Sequence, residues 1–292
     1  MILLTGGSGF FGSHLLARSA SSFSYRCLMR PSAAVRNRFP VEIVEADVAD
    51  RSSLQGILSG VDTVLHMAAL IRGASPKEII RVNLEGTRAL VEEAKTHNVR
   101  RFVFVSTENA LREDLKDAYA ASKREAEAVV RTFPNSLILR PCFVYGPGDD
   151  HGLGRLIQLA VRSPLVPVFG GLKSFIQPIY VDDMVEYLVR SLKNDLTGSY
   201  LIVGPDVIHL NDFLKKYCET MGLKRRFVAL PKSVLGLSAK AADLLPSAVG
   251  WGTNQFRNIY GSRTYSIEKT VQDFQFTPRS VEQGLQAFLR QT

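Results

Sequence analysis

Tyr119 and Lys123 are the residues of this 292-residue chain whose types and spacing point most directly to proton chemistry. They lie four positions apart near the start of a predicted helix, so both side chains share one helix face. A tyrosine ordinarily loses its proton near about pH 10, and a neighbouring ammonium group lowers that pKa. The pair therefore predicts a tyrosine that gives or takes a proton closer to neutral pH. Ser106 and Thr107, at the end of a predicted strand, offer a hydroxyl that would hydrogen-bond a reacting oxygen beside the tyrosine.

A glycine-rich segment, TGGSGFFG from Thr5 to Gly12, follows a short apolar run at the start of the sequence. The run Ile2–Leu4 predicts a buried strand, and the residues after Gly12 predict a helix. Glycines in such a turn allow a positive φ, close approach of a pyrophosphate and tight packing of helix against strand. The N–H groups at the helix N-terminus would then face phosphate oxygens. We interpret the segment as a dinucleotide-binding turn.

The elements that must position these residues alternate between strand and helix, as a parallel sheet requires. Predicted strands are Ile2–Thr5, Tyr25–Arg30, Val41–Ala46, Thr63–Met67, Arg101–Ser106 and Ser136–Cys142. Predicted helices are Phe10–Ser21, Arg51–Leu58, Pro76–His97 and Ala118–Thr132, and a further strand–helix–strand unit covers Phe175–Val181, Asp182–Leu192 and Ser199–Val203. The pattern predicts an α/β fold with a doubly wound parallel sheet of Rossmann type. Such sheets bind ligands beyond the carboxyl ends of their strands.

Proline and glycine interrupt the sequence after Tyr145. We expect residues 1–145 and 176–203 to form a dinucleotide-binding domain. Residues 146–175 and 204–292 are expected to form a smaller, discontinuous substrate-binding lobe. Its segment Val228–Leu245 is markedly apolar, which is typical of helical core packing. A lid over a hydrophobic or lipid-linked substrate, a dimer contact and a membrane-surface contact are the alternatives.

Composition narrows the classes of function. Lysine and arginine number 36 against 28 acidic residues, and the formal net charge of +8 favours anionic ligands. The cations are dispersed without interleaved aromatic residues, so no nucleic-acid partner is expected. The sequence has no apolar run of about 18 residues, so it predicts no transmembrane segment. It leaves no room for a signal peptide, and its three cysteines are scattered, so a cytoplasmic protein is expected. The five histidines lack metal-ligand spacing, so no metal site is expected.

Further motifs run along almost the whole chain. They are Asp47-Val48, HMAA at 66–69, NLEGT at 83–87, RPCFVYGPGD at 140–149, YVDD at 180–183, YSIEK at 265–269 and FTP at 276–278. Together with the glycine turn and Thr107, Tyr119 and Lys123, they resemble the motifs of the extended short-chain dehydrogenase/reductases, in the NAD-dependent epimerase/dehydratase branch. The resemblance implies hydride transfer between a substrate carbon and a nicotinamide cofactor, and it implies a homodimer.

The resemblance also implies a role for individual residues. Tyr119 would exchange the hydroxyl proton, Thr107 would hold the reacting oxygen, and Lys123 would bind the nicotinamide ribose and lower the pKa of Tyr119. The implied cofactor-binding residues are Gly6, Gly9, Phe10, Phe11, Gly12, Arg30, Asp47, Val48, Met67, Ala68, Ala69, Asn83, Ser106, Tyr119, Lys123, Pro141, Phe143 and Val144. The implied substrate-binding residues are Glu108, Phe143, Arg155, Lys173 and Arg263.

The choice of cofactor depends on the end of the second predicted strand. An acidic residue there would accept hydrogen bonds from the adenosine ribose and repel a 2′-phosphate. This chain instead carries Arg30 at that point, with Arg36 and Arg38 nearby. The sequence therefore favours NADP, with NAD as the alternative.

Two departures from the family pattern bear on the substrate. Glu108 is followed by Asn109 where the 4,6-dehydratases carry an acidic pair, which disfavours dehydration. Phe143 stands where many nucleotide-sugar enzymes have an asparagine. The leading hypothesis is an oxidoreductase or epimerase acting on a secondary alcohol or ketone of a nucleotide-linked sugar. The first alternative is an NADPH-dependent reductase or dehydrogenase of an apolar ketone, resembling hydroxysteroid dehydrogenases or dihydroflavonol reductases. The second is a non-catalytic NAD(P)-binding subunit or sensor.

Overall fold

The computed structural model describes residues 1–30, 39–71, 73–113, 117–150, 152–169, 174–230 and 264–291. The predictions for Arg36, Arg38, Lys173, Arg263 and residues 231–245 lie outside these ranges. The chain divides into two compact units. The first comprises Met1–Pro141, Met184–Ile202 and Gln272–Phe276, and the second comprises Cys142–Asp183, Val203–Val271 and Thr277–Thr292, as far as each is described.

A parallel sheet of seven strands forms the centre of the first unit as described. Its strands are β1 (Ile2–Thr5), β2 (Tyr25–Met29), β3 (Glu42–Glu45), β4 (Thr63–His66), β5 (Arg101–Val105), β6 (Ser136–Pro141) and β11 (Gly198–Ile202). The strand order is β11-β6-β5-β4-β1-β2-β3, so the direction of winding reverses between β1 and β4. This is a Rossmann-type sheet, as the sequence predicts, and its ligand crevice is expected where the winding reverses.

Helices cover the sheet of the first unit. They are α1 (Phe10–Ser19), α2 (Pro76–Ile80), α3 (Gly86–Thr96), α4 (Ala118–Val130) and most of α6 (Val181–Lys193), with 3-10 turns at Arg51–Leu54 and Glu108–Leu111. The predicted helix Arg51–Leu58 is wrong beyond its first turn, because Gly56 adopts a φ of +74° that ends it. The predicted helix Pro76–His97 is also interrupted. A π-helical turn at Arg81–Glu85 separates α2 from α3.

The central strands are buried on both faces, as a covered parallel sheet requires. All residues of β1, β4 and β5 are buried. On one face, Phe102 and Phe104 belong to a cluster with Leu90 and Val91 of α3 and Val130 of α4. Burial of these side chains at about 1.5–3 kcal/mol each fixes α3 and α4 against the strands whose carboxyl ends carry the predicted site.

In its described residues the second unit contains three pairs of short strands. These are β7 (Val144–Tyr145) with β10 (Ile179–Tyr180), β8 (Leu165–Phe169) with β13 (Arg226–Leu230), and β9 (Phe175–Ile176) with β12 (Ile208–His209). The helices α5 (Gly152–Arg162), α7 (Leu210–Thr220) and α9 (Val281–Leu289) belong to this unit, and α8 (Glu268–Phe274) begins in it and ends in the first. The single predicted strand Phe175–Val181 is therefore wrong. Pro178 interrupts it, since proline has no N–H to donate to a strand ladder.

Every helix in the described ranges is too short or too polar to cross a bilayer.

Candidate functional site

The turn after β1 has a shape that only glycine permits. Gly6 has a φ of +78°, and a Cβ there would lie 2.8 Å from the backbone nitrogen of Ala68. A Cβ on Gly12 would overlap the carbonyl oxygen of Gly6. Gly9 precedes α1 as its N-cap and supplies no side-chain acceptor to the N–H groups of the first helical turn. These donors and the helix dipole suit a phosphate group. Phe10 and Phe11, both half-buried, begin the helix.

The ends of β1 and β4 are joined through the side chain of Thr5. Its Oγ1 accepts hydrogen bonds from the backbone N–H groups of Met67, at 3.2 Å, and Ala68, at 3.1 Å. Its hydroxyl lies 2.6 Å from Nδ1 of His66. The structure thus brings Met67 and Ala68 beside the glycine turn, and Ala69 follows them with an exposed side chain.

His66 is a buried neutral imidazole. Its Nε2 lies 2.9 Å from Oγ1 of Thr87, whose hydroxyl donates to the carbonyl oxygen of Asn83 at 2.6 Å. Because the Thr87 proton is already used, Nε2 of His66 must donate and Nδ1 must accept from Thr5. Burial and, to a smaller extent, the charge of Lys123 lower the pKa of His66 to about 3. His66 therefore acts as a fixed structural link at neutral pH.

Asn83 connects the chain after β4 to helix α4. Its Oδ1 accepts from the N–H of Leu70 at 2.7 Å, and its Nδ2 donates to the carbonyl oxygen of Leu70 at 3.0 Å. The same Nδ2 donates to the hydroxyl of Ser122 at 3.1 Å. Ser122 in turn donates to the carbonyl oxygen of Tyr119 at 2.9 Å. Cofactor binding by Asn83 stays a prediction, and in the structure its side chain contacts the Leu70 backbone and Ser122.

The predicted adenosine-binding residues lie after β2 and β3. Arg30 is exposed directly after β2. Asp47 is half-buried, and its Oδ1 accepts from the N–H of Ala49 at 2.9 Å. Val48 is buried, and its carbonyl oxygen lies 3.0 Å from where a Cβ on Gly86 would stand, so only glycine fits there. Their roles toward a cofactor stay predictions.

Tyr119 and Thr107 form a hydrogen-bonded pair. Helix α4 begins after Asp117, whose carboxylate accepts from the N–H of Ala120 at 2.8 Å and so places Tyr119 in the first turn. Burial raises the pKa of Tyr119 to about 12, more than the hydrogen bond with Thr107 lowers it. Thr107 is itself buried and caps the 3-10 turn that contains Glu108. At neutral pH the phenol therefore carries its proton.

Lys123 is turned toward the end of β5. Its Nζ donates to the carbonyl oxygen of Val105 at 2.7 Å and lies 3.9 Å from the centre of the Phe104 ring. Burial lowers the pKa of Lys123 to about 7, while the charge of Glu127 acts in the opposite direction. Desolvation is thus the largest influence on the pKa of both Tyr119 and Lys123, and the lowering of the Tyr119 pKa by Lys123 stays a prediction.

Glu127 is a residue of this region that the motif analysis missed. Its buried carboxylate pairs with Arg140 of β6 at 2.6 Å and with Arg131 at 2.7 Å. Burial alone would raise the pKa of Glu127, but the hydrogen bond and charge of Arg140 and the charge of Arg131 hold it below its usual value. The available signal was the spacing of Lys123, Glu127 and Arg131, each four residues from the next on one helix face.

The remaining predicted residues lie in several places. Ser106 is buried directly after β5, and Pro141 is the last residue of β6. Phe143 and Val144 belong to the second unit, where the carbonyl oxygen of Phe143 accepts from the N–H of Ile179 at 2.9 Å. Arg155 is exposed, and its Nε donates to the carbonyl oxygen of Asp150 at 3.1 Å. Of these residues, Ser106 immediately precedes Thr107 in the chain, and the roles of the others toward a cofactor or substrate stay predictions.

In the parts of the chain that the structure describes, no three His, Cys, Asp or Glu side chains are grouped so that they could hold a metal ion.

The carboxyl ends of β1, β4 and β5 thus hold a glycine turn suited to a pyrophosphate, and a buried threonine hydrogen-bonded to a half-buried tyrosine one helical turn before a lysine. These features define a dinucleotide-binding protein of the short-chain dehydrogenase/reductase type. The model of the NAD dependent epimerase/dehydratase family matches residues 2–204, and the chain belongs to that family. It is accordingly an NAD(P)-dependent enzyme.

Individual relatives differ in what they act on. A ceramide reductase of Caulobacter vibrioides (strain NA1000 / CB15N) is 35% identical over 237 residues, which cover 79% of this chain and 74% of that protein. The N-acetyl-alpha-D-glucosaminyl-diphospho-ditrans,octacis-undecaprenol 4-epimerase of Escherichia coli O157:H7 is 26% identical, over 85% of this chain and 81% of that protein. The solved structure of MoeE5 in complex with UDP-glucuronic acid and NAD is 23% identical, with a TM-score of 0.76 and coverage of 99% and 97%. That structural similarity supports the fold.

Proposed function

We propose that this protein is an NAD(P)H-dependent reductase of a ketone on a lipid of the ceramide class. The observation that carries the proposal is the hydrogen bond between Thr107, after β5, and Tyr119, in the first turn of α4. A tyrosine carries its proton at neutral pH, so Tyr119 can donate that proton to a carbonyl oxygen, which is the direction that carbonyl reduction requires.

In this reaction the ketone carbon gains a hydride and its oxygen gains a proton. The reduced nicotinamide cofactor supplies the hydride and leaves oxidised. Tyr119 donates its hydroxyl proton to the carbonyl oxygen, because the developing alkoxide is a far stronger base than a phenolate. Thr107 hydrogen-bonds the phenol and orients it, and the resulting phenolate regains a proton from solvent. The product is a secondary alcohol.

The glycine turn supports binding of the cofactor. A Cβ at Gly6 or Gly12 would collide with neighbouring backbone, so the turn requires glycine, and the first N–H groups of α1 lack a side-chain acceptor within the described residues. These groups would hold the pyrophosphate. Arg30, exposed after β2 where no acidic residue stands, favours NADP over NAD because it would pair with a 2′-phosphate.

The choice of substrate class rests on the relatives. A ceramide reductase is the relative with 35% identity, above the 26% identity of the undecaprenol-linked sugar epimerase. Phe143 in place of a ligand-binding asparagine also favours an apolar substrate over a nucleotide sugar. The second candidate is epimerisation of a sugar linked to a nucleotide or to a lipid diphosphate, and the epimerase relative is the observation that favours it.

The test uses the purified chain with NADPH or NADH and two substrates. The first is an N-acylated sphingoid base that carries a keto group, dispersed in detergent, and the second is a UDP-hexose. We expect NADPH oxidation with the lipid ketone, formation of the secondary alcohol, and a decrease in kcat of about 10²–10⁴-fold in Tyr119→Phe. Tyr25→Phe is the matched control. Tyr25 is buried at the start of β2, at the amino ends of the parallel strands and away from their carboxyl ends.

Two results would contradict the proposal. Epimerisation of the UDP-hexose without net consumption of NADPH would favour the second candidate. Equal rates for wild type and Tyr119→Phe on both substrates would remove the proposed role of Tyr119.

A further inference from the structure

A mixed surface of cations and apolar side chains lies on the second unit. It comprises Leu159 and Arg162 of α5, Leu165 of β8, and Lys224, Arg226 and Val228 on and before β13; we call it the basic-apolar surface. All six side chains are exposed. Leu165 is 53% exposed and Val228 is 43% exposed, which is unusual for two aliphatic residues in paired strands.

The pairing of β8 with β13 explains why these side chains lie together. The strands are parallel, with Leu165 opposite Arg226 and Pro167 opposite Val228. Side chains paired in this way point to the same face of the ribbon. The alternate residues Val166 and Val168 are buried, so they form the inner face. Leu165, Arg226 and Val228 therefore share the outer face.

The end of α5 continues this outer face. Helix α5 stops at Arg162, three residues before Leu165, and Leu159 lies one turn earlier. Arg225 ties β13 to the helix end, because its guanidinium donates to the carbonyl oxygens of Ala160 at 2.6 Å and Val161 at 2.8 Å. The helix end and the ribbon thus form one connected surface. All of its residues belong to the second unit.

The charge of this surface has one sign. Residues 152–169 and 221–230 contain no Asp or Glu, although the whole chain has 28 of them. Exposed cations interspersed with exposed aliphatic side chains fit an anionic lipid surface, where the cations contact headgroups and the aliphatic groups enter the interface. A second copy of the chain fits poorly, since a symmetric contact would place the same cations against each other.

We propose that the basic-apolar surface docks the protein on bilayers that contain anionic phospholipid. The docking builds on the proposed function, because a ceramide-class ketone resides in a membrane and a reductase at the membrane surface reaches it without extraction into water. Vesicle binding needs neither cofactor nor ketone, so its outcome is separate from that of the reductase assay.

The experiment is co-sedimentation of the whole chain with vesicles of phosphatidylcholine alone or with about one third phosphatidylglycerol. We expect binding to the anionic vesicles only, and weaker binding as salt rises. The double variant Arg162→Glu with Arg226→Glu is expected to decrease the partition coefficient at least about tenfold. The double variant Leu165→Ser with Val228→Ser should also weaken binding, with net charge unchanged.

The matched control is Lys77→Glu with Lys95→Glu, which changes two exposed cations of the first unit and lowers the net charge by the same amount. Equal loss of binding in the control and in Arg162→Glu with Arg226→Glu would overturn the proposal, because net charge alone would then explain the binding. Absence of binding to anionic vesicles, or a concentration-dependent dimer that Leu165→Ser with Val228→Ser abolishes, would also overturn it. Each variant is first compared with wild type by circular dichroism, so that unfolding is recognised.

Discussion

A buried cation lies at each end of strand β5. Arg101 begins the strand and is fully buried, and Lys123 contacts Val105, the last residue of the strand. The Arg101 guanidinium donates to the carbonyl oxygens of Ser191 and Leu196 and to Oδ1 of Asn135, at 2.7–3.3 Å. For the Lys123 ammonium, the hydrogen bonds found among the described residues are limited to the one with Val105, and the Phe104 ring supplies a further contact.

This difference separates a structural end of the sheet from a functional one. The three acceptors of Arg101 lie in α6, between α6 and β11, and just before β6, so this cation ties three parts of the first unit to the start of β5. An ammonium group has three N–H donors. Among the described residues, Lys123 donates one of them, to the carbonyl oxygen of Val105. A buried cation with unused donors is costly to the folded state, and such groups cluster at functional sites. The comparison predicts that the two cations respond oppositely to substitution.

The largest expected effect is that of Lys123→Met on catalysis. Removing the ammonium group beside Tyr119 should lower kcat/KM about 10³-fold, within the usual range for a group that assists proton transfer. The folded state should lose little, because a buried charge is replaced by an apolar side chain of similar length. Steady-state kinetics with the lipid ketone and urea unfolding at pH 7 measure the two quantities. A large loss of stability with unchanged kcat/KM would reverse the assignment.

The next largest effect is that of Arg101→Met on stability. This change leaves one buried and two partly buried acceptors without their donor, so the free energy of unfolding should decrease by about 3 kcal/mol or more. The rate per folded molecule should stay as in wild type. Arg100→Met is the control. Arg100 is adjacent to Arg101 in the sequence, but it is exposed and forms surface ion pairs with Asp62 and Asp195. We expect at most about 1 kcal/mol for the control, and equal effects of the two substitutions would contradict the comparison.

Stability should also depend on pH through Lys123. Its pKa falls from 10.5 in the unfolded chain to about 7 in the folded one. Between these two values the unfolded chain binds more protons than the folded chain, so the free energy of unfolding rises with pH. The rise attributable to Lys123 is at most about 1.4 kcal/mol per pH unit. It is measured as the difference between wild type and Lys123→Met in urea unfolding at pH 7, 8 and 9, and parallel curves would refute it.

The fold was predictable because its strands are short, continuous apolar runs. The strands β1, β4 and β5 begin where the sequence predicts and end within one residue of it. The prediction of a helix over Pro76–His97 is correct in its extent, but a π-helical turn at Arg81–Glu85 interrupts the regular α-helix. Asn83 binds the backbone of Leu70 and Gly86 packs against Val48, and these distant contacts accompany the π-helical turn.

The site was predictable in its residue types but not in its electrostatics. Spacing identifies Tyr119, Lys123 and Thr107, because position i and position i+4 share a face in any helix. The direction of the pKa shift at Tyr119 depends on desolvation, which the sequence does not contain. The burial of Arg101 could not be predicted, because its acceptors lie 34 to 95 positions away in the sequence.

The smallest effect in this comparison is expected from Glu127, a positioning residue that acts through Lys123. Its negative charge raises the pKa of Lys123 against the effect of burial. In Glu127→Gln that support is lost, so the ammonium form should persist only to lower pH. We expect kcat/KM at pH 7 to decrease about tenfold, equivalent to about 1.4 kcal/mol, and the alkaline limb of the pH–rate profile to move to lower pH.

Arg131→Ala is the matched control for Glu127→Gln. Arg131 is half exposed and pairs with the same carboxylate, while the Arg140 contact and the Glu127 charge both remain. The control should leave the alkaline limb where wild type has it. If Glu127→Gln lowers the rate equally at every pH, the residue supports only the packing of α4 against β6. A shift of the alkaline limb in Glu127→Gln but not in Arg131→Ala would show that the charge at position 127 controls the protonation of Lys123. We expect no such control at Arg101, the buried cation at the other end of β5.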